Sequence, residues 1–185
     1  MVIVNKRKFY SKITLFIILI VVGFMSVTPI KKAIYPLKHK DIIIQYSNKY
    51  ELDPYLVMAI ICTESRFNEN ANSHKGARGL MQITEETATW CVEKFKIQAD
   101  AKNIYNPRTN IEVGCAYLDF LVELFEGETT TAVAAYNAGQ GNVKKWLSDE
   151  QYSLDGKTLE QIPFEETKNY VEKVLKRYEI YKKLY

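Results

Sequence analysis

The stretch AIICTESRF, residues 59–67, places a glutamate directly after an apolar run. Upstream, Asp53 and Pro54 are typical of a helix N-cap followed by a proline in the first turn. A helix that begins there gathers its aliphatic residues on one face, and Glu64, four residues after Ile60, falls on that face. We therefore predict that the Glu64 carboxyl group points inward, or into a cleft at the end of the helix.

Composition favours one globular domain and argues against nucleic-acid binding. The chain has 185 residues, of which 47% are hydrophobic and 12% aromatic, which is enough for a single core. Its net charge of +3 is unevenly distributed along the chain. Residues 1–40 hold eight Lys/Arg and no acid, so the remainder has 17 basic and 22 acidic residues. A nucleic-acid-binding domain needs a clustered positive surface, so we expect no nucleic-acid partner.

The N-terminus resembles a membrane signal. Basic residues precede the uncharged stretch ITLFIILIVVGFMSVTPI, residues 13–30, and two lysines follow it. This length is near the lower bound of about 18 residues for a membrane-spanning helix, and no small-residue cleavage site ends it. We expect a single-pass protein of the cytoplasmic membrane with its domain on the outer face; secretion after signal cleavage is the alternative. The predicted organisation is a basic segment at 1–12, a transmembrane or signal-anchor helix at 13–30, a linker at 31–40 and the domain at 41–185.

Helical signals recur from about residue 41, and strand signals are nearly absent. Thr84 precedes one amphipathic segment and Asn106 another, a short apolar helix ends before Gly139 and Gly141, and the last helix covers about residues 163–183. The fold class that we predict is therefore mainly α, in a single domain.

No metal or cofactor is expected. Cys62, Cys91 and Cys115 are too few and too scattered for a zinc site or a disulfide framework, and His39 and His74 lack metal-ligand spacing. Two of the cysteines can form a disulfide outside the cell, or all three can be small buried residues.

Three further motifs follow the glutamate: ANSHKGARGLMQI at 71–83, AAYNAGQGN at 134–142 and PFEETKNYV at 163–171. Glu64-Ser65 and these three motifs, in this order, resemble the successive motifs of the soluble lytic transglycosylase family, the goose-lysozyme-like murein lyases. The resemblance covers about residues 41–180 and implies a lysozyme-like domain, called the SLT domain. It also implies cleavage of the β-1,4 bond between N-acetylmuramic acid and N-acetylglucosamine in peptidoglycan glycan strands, with formation of a 1,6-anhydro ring.

In this family one glutamate does the chemistry, and the resemblance assigns that role to Glu64. A carboxyl group in an apolar setting stays protonated near neutral pH, so it can donate to the leaving oxygen and later accept a proton. Ordinary glycosidases need a second carboxylate. The only other acid between Glu64 and Gln82 is Glu69, which lies in a polar segment that we interpret as a solvated loop.

The resemblance also implies substrate-binding residues, most of which have a structural alternative. Met81 can instead fill the core, Gln82 and Asn137 can bond backbone carbonyls, and Glu166 can stabilise a helix N-terminus. Tyr136 and Tyr170 can be core rings. The predicted substrate-binding residues are Ser73, Met81, Gln82, Tyr136, Asn137, Glu166 and Tyr170.

Two other functions stay open. A hydrolytic muramidase would share the fold and Glu64 but would need a carboxylate that holds a water. A non-catalytic peptidoglycan-binding module would tolerate the loss of Glu64, yet here the glutamate is present within its full set of motifs.

Overall fold

The computed structural model describes residues 29–185, and this part of the chain is helical apart from its loops. Two isolated β-bridges join Arg78 to Asn72 and Ile83, and no longer strand occurs within the described range. The prediction of a mainly α fold is confirmed. After a helical turn at residues 29–34, the helices are α1 (Lys40–Lys49), α2 (Pro54–Glu64), α3 (Glu85–Phe95), α4 (Pro107–Leu124), α5 (Thr129–Ala138), α6 (Gln140–Leu147) and α7 (Glu165–Leu184), with a 3₁₀ turn at Ala101–Asn103.

Helix α2 runs through the centre of the core. Every residue from Leu56 to Cys62 is buried, and α7 packs along α2 and also against α5. The prediction of a single apolar face on α2 is therefore too narrow, because a helix that is apolar all round is enclosed on all sides. Glu64 is shielded because it is the last residue of α2, where α7 crosses the helix end.

The sequence signals for helix starts correspond to real caps. Asp53, Thr84 and Asn106 precede α2, α3 and α4, and each side chain accepts a hydrogen bond from a backbone N–H in the first turn, at 2.8, 3.2 and 2.9 Å. Each bond satisfies a donor that the helix itself leaves unpaired.

The helix α6 was not expected from the sequence. Gly139 and Gly141 indicate a loop, yet only Gly139 acts as a break, with a φ of +85° between α5 and α6. Gly141 lies inside α6, where the burial of Val143 and Trp146 in the core compensates for the poor helix propensity of glycine.

The segment expected to be a linker contacts the end of α7. Tyr181 donates its hydroxyl hydrogen to the Pro36 carbonyl at 2.7 Å, and Tyr185 donates to the Tyr35 carbonyl at 3.1 Å. The expected membrane helix at 13–30 lies, except for its last two residues, outside the described part of the chain. Within residues 29–185, no helix combines the length and the apolar character that crossing a membrane requires.

All three cysteines are buried free thiols, in agreement with the interpretation as small core residues. Burial raises the pKa of the Cys91 thiol to about 12 and that of Cys115 well above its ordinary value. Among residues 29–185 no group of three or more His, Cys, Asp or Glu side chains is arranged to hold a metal ion.

Candidate active site

The C-terminal end of α2 is fixed by a tight turn and a bond to the next loop. Arg66 and Phe67 both have left-handed backbone angles, with φ of +51° and +62°, so the chain reverses directly after the helix. Phe67 enters the core and Arg66 stays exposed. Ser65 donates its hydroxyl hydrogen to the Leu80 carbonyl at 2.8 Å, which joins the end of α2 to the loop at 71–83.

Glu64 and Tyr170 form the central contact of the site. The Tyr170 hydroxyl donates to Oε1 of Glu64 at 2.7 Å. Burial raises the pKa of Glu64 from 4.5 to about 7, although the hydrogen bond from Tyr170 acts in the opposite direction. A carboxyl group with a pKa near neutrality can serve both as an acid and as a base.

The Glu64 side chain lines a cleft of about 390 Å³. The cleft lies between the ends of α2 and α5 and one face of α7. The cleft holds two carboxyl groups, those of Glu64 and Glu166, and three cationic side chains. The residues that line it are Thr63, Glu64, Arg66, Asn137, Glu166, Tyr170, Lys173 and Arg177. Of the predicted site residues, the fold thus brings Glu64, Asn137, Glu166 and Tyr170 together.

Tyr136 and Asn137 end α5 next to this cleft. The Tyr136 hydroxyl donates to the Met81 carbonyl at 2.9 Å, and burial raises the pKa of Tyr136 well above its ordinary value. Oδ1 of Asn137 accepts a bond of 2.8 Å from the Thr167 hydroxyl. Tyr136 therefore holds the loop at 71–83 in place, and Asn137 presents an oriented amide in the cleft wall.

Ser73 and Gln82 serve the loop rather than the cleft. Oγ of Ser73 accepts a bond of 3.0 Å from the Ala77 N–H, and Nε2 of Gln82 donates to the carbonyls of Gly79 at 3.0 Å and Ala71 at 3.2 Å. Both side chains use backbone partners, which is the alternative that the sequence left open for Gln82. Neither residue is among those that line the cleft around Glu64.

Met81 is not among the residues that line the cleft around Glu64. The Met81 side chain is fully buried, and its N–H donates to Oδ1 of Asn110 at 2.7 Å. Its sulfur lies against Gly114 of α4, where no Cβ would fit. The missing side chain of Gly114 leaves space that the flexible thioether of Met81 fills, so Met81 is a core residue.

Four lining residues were not predicted: Thr63, Arg66, Lys173 and Arg177. Thr63 links two walls, because its hydroxyl donates to the Ala59 carbonyl at 2.7 Å and accepts from Nη1 of Arg177 at 2.8 Å. The sequence contained a signal for two of these residues, Lys173 and Arg177. Lys173 and Arg177 follow Tyr170 by three and seven positions, which places all three on one face of a helix.

Glu69, the other acid considered from the sequence, lies away from the cleft. Its Oε1 is 2.9 Å from Nε2 of His39, in the segment that precedes α1, and it is not among the lining residues. The segment around Glu69 was interpreted as a solvated loop, yet the Glu69 carboxyl group has this specific partner.

Comparisons with known proteins consistently indicate one family. The family model described as "Transglycosylase SLT domain" matches residues 41–159. The soluble lytic murein transglycosylase of Escherichia coli K12 is 38% identical over 144 residues, covering 76% of this chain and 22% of that protein. The membrane-bound lytic murein transglycosylase C of Photorhabdus laumondii is 36% identical over 124 residues, covering 62% of this chain and 35% of that protein.

A solved structure shares the fold. It is described as an inactive glutamate-to-glutamine mutant of the lytic transglycosylase Slt from Pseudomonas aeruginosa. It aligns with a TM-score of 0.72 and 34% identity, over 80% of this chain and 24% of that chain. This chain thus spans only 22% to 35% of the length of these proteins. The chain belongs to the transglycosylase SLT domain family.

Proposed function

We propose that this protein is a peptidoglycan lytic transglycosylase. It cleaves the β-1,4 bond between N-acetylmuramic acid and N-acetylglucosamine and leaves 1,6-anhydro-N-acetylmuramic acid ends. The observation that carries the proposal is the Glu64 carboxyl group, which faces a cleft and has a pKa of about 7. The names of its relatives support this activity, and the inactive glutamate-to-glutamine mutant of one relative supports catalysis by a glutamate.

In this mechanism Glu64 starts protonated. It donates its proton to the glycosidic oxygen as the bond from that oxygen to C1 of the muramic acid breaks. The resulting carboxylate then removes the proton from the O6 hydroxyl of the same sugar while O6 bonds to C1. No water is consumed, and Glu64 regains its proton. The hydrogen bond from Tyr170 to Oε1 fixes the orientation of the Glu64 carboxyl group. Oε2 then remains free to donate and accept the proton.

The other predicted site residues take supporting roles in the proposal. Asn137 and Glu166 bind saccharide in the cleft, and Tyr170 orients Glu64. Tyr136, Ser73 and Gln82 act indirectly, through the hydrogen bonds that fix the loop at 71–83. In this assignment the domain begins near residue 41.

A hydrolytic muramidase is the competing activity, and the products separate the two. The full chain, purified in detergent, is incubated with peptidoglycan, and the released muropeptides are analysed by mass spectrometry. Lytic cleavage gives anhydro ends, each lighter by one water than a hydrolysis product. Hydrated reducing ends as the main product would contradict the proposal, and binding without any released product would indicate a non-catalytic module.

We also propose that residues 13–30 anchor the protein in the cytoplasmic membrane with the domain outside. The support is the uncharged apolar stretch with basic flanks, together with one relative that is named membrane-bound. The full-length protein is then expected in the membrane fraction, and protease added outside protoplasts should degrade the domain. Recovery of a soluble secreted form that starts near residue 30 would contradict the anchor.

A further inference from the structure

The cleft has an uneven distribution of charge along α7. Glu166 stands at one end of the lining face, Tyr170 follows, and Lys173 and Arg177 stand at the other end. From 166 to 177 the helix advances by about 16 Å. Arg66 adds a third cation from the turn after α2. The cleft therefore has a cationic end, which we define as Arg66, Lys173 and Arg177.

The cations at this end have no acidic partners. Within residues 29–185, no carboxylate lies within 4.0 Å of Arg66, Lys173 or Arg177. Elsewhere on α7, by contrast, Lys182 lies 3.8 Å from Glu179. Lys173 and Arg177 are four residues apart on one helix, a spacing at which like charges repel. Three unpaired cations that share one cleft suit an anionic ligand.

Arg177 is also held in position for such a ligand. Its Nη1 donates to the Thr63 hydroxyl at 2.8 Å, and that hydroxyl is in turn anchored on the Ala59 carbonyl. A fixed guanidinium loses little further freedom when it binds, and its fork of N–H donors matches the two oxygens of a carboxylate.

We infer that Arg66, Lys173 and Arg177 bind the carboxylates of the peptide stems attached to the glycan strand. The inference rests on the proposed function. The sugars at the scissile bond are neutral, whereas the stems carry free carboxylates, so the stems supply the anions within the same substrate. Tyr170, which bonds the catalytic Glu64, lies one turn of α7 from Lys173, so the stem next to the cleaved bond is the one that is bound.

The cationic end thus selects substrates that carry peptide stems, and it acts on binding rather than on bond breaking. Contacts that are equally strong in the ground state and the transition state change KM and leave kcat unaltered. Salt should weaken this selection, since exposed charges are screened beyond about 8 Å at physiological ionic strength.

The test compares two double variants of the full chain. Arg66→Gln/Lys173→Gln removes two charges from the cationic end and leaves the Arg177 bond to Thr63 intact. Lys168→Gln/Lys176→Gln removes two charges from exposed positions of α7 that do not line the cleft. Three substrates are used, all freed of wall-polymer phosphates. They are peptidoglycan with native stems, the same material with amidated stem carboxylates, and peptide-free glycan strands whose lactyl carboxylates, freed when the stems are removed, have also been amidated.

On native stems, the first variant should raise KM about fivefold, in line with two exposed ion pairs, with kcat within about twofold. On amidated stems and peptide-free strands it should match the wild type, and the control variant should match it on all three substrates. If the KM of the first variant rose equally on peptide-free strands, or did not rise on native stems, the inference would be overturned. The proposed function would still stand, provided that the wild-type protein cleaves peptidoglycan. A rise that requires wall-polymer phosphates would assign the cations to phosphate instead. A wild-type protein that cleaves none of the substrates would overturn both.

Discussion

Two glutamates line the same cleft in opposite settings. Glu64 is the last residue of α2, partly buried and bonded to Tyr170, and its pKa is raised to about 7. Glu166 lies in the first turn of α7, with 74% of its side chain exposed and Lys75 at 3.8 Å. The negative end of the α2 dipole disfavours a charged carboxylate at Glu64, whereas Glu166 lies at the opposite, N-terminal end of its own helix.

The difference shows that environment assigns the role. A general acid must hold a proton near neutral pH, and of the two only Glu64 has a setting that penalises its charged form. Glu166 is suited to hydrogen bonding and electrostatic contact with a ligand. The predictions below test this division.

The largest effect is expected for Glu64→Gln. The amide keeps the shape of the side chain but can neither donate a proton as an acid nor accept one as a base, so turnover on peptidoglycan should fall by at least about 10²–10⁴-fold. Release of muropeptides measures the loss, and circular dichroism checks the fold. A folded variant with more than a small fraction of wild-type turnover would show that Glu64 is not the catalyst.

The same substitution should stabilise the fold in a pH-dependent way. Because the pKa of Glu64 is raised on folding, the folded state keeps a proton that the unfolded state has already lost between pH 4.5 and about 7. The contribution of Glu64 to the free energy of unfolding is therefore fully present below pH 4.5 and is lost as the pH rises to about 7. Glu64→Gln should therefore gain about 2–3 kcal/mol in free energy of unfolding at pH 8 and little at pH 4. Urea unfolding at both pH values measures this, with Glu166→Gln as the control. An equal gain at both pH values would argue against a buried, charge-penalised Glu64.

Tyr170→Phe should reduce turnover about tenfold, in line with the loss of one hydrogen bond to a charged group. The hydrogen bond lowers the pKa of Glu64, so its removal should raise that pKa. The alkaline decline of kcat/KM, expected near pH 7 in the wild type, should then move to higher pH. A pH–rate profile of both proteins tests this prediction. If Tyr170 had a purely structural role, the substitution would lower the rate but would not shift the pH at which kcat/KM declines.

Local chemistry accounts for what the sequence could predict. Helix caps depend on neighbours within one turn, so Asp53, Thr84 and Asn106 were readable. The position of Glu64 at a helix end followed from the same signals. Most helices and the presence of a buried carboxyl group were thus within reach of sequence reasoning.

Contacts between distant segments were not readable from local patterns. Tyr170 is 106 positions from Glu64, so their bond depends on how α7 crosses α2, and only the family resemblance indicated a shared site. Met81 was assigned to the substrate by the family resemblance. The space that Gly114 leaves for its side chain lies on another helix, so local patterns did not reveal it. Lys173 and Arg177 were overlooked because charged residues on a C-terminal helix usually indicate a solvated face.

The smallest effect is expected for Glu166→Gln, the substitution that separates a single-glutamate lyase from a two-carboxylate hydrolase. Glutamine keeps the hydrogen-bonding shape and loses only an exposed charge, whose interaction with Lys75 is weak. We expect KM to change by at most about threefold, kcat to stay the same, and the products to keep their anhydro ends. Glu69→Gln is the matched control, because it removes a carboxylate outside the cleft that interacts with His39. If Glu166 instead held a hydrolytic water, its replacement would cost about 10²-fold or more, as expected for a general base, and the wild-type products would carry hydrated reducing ends.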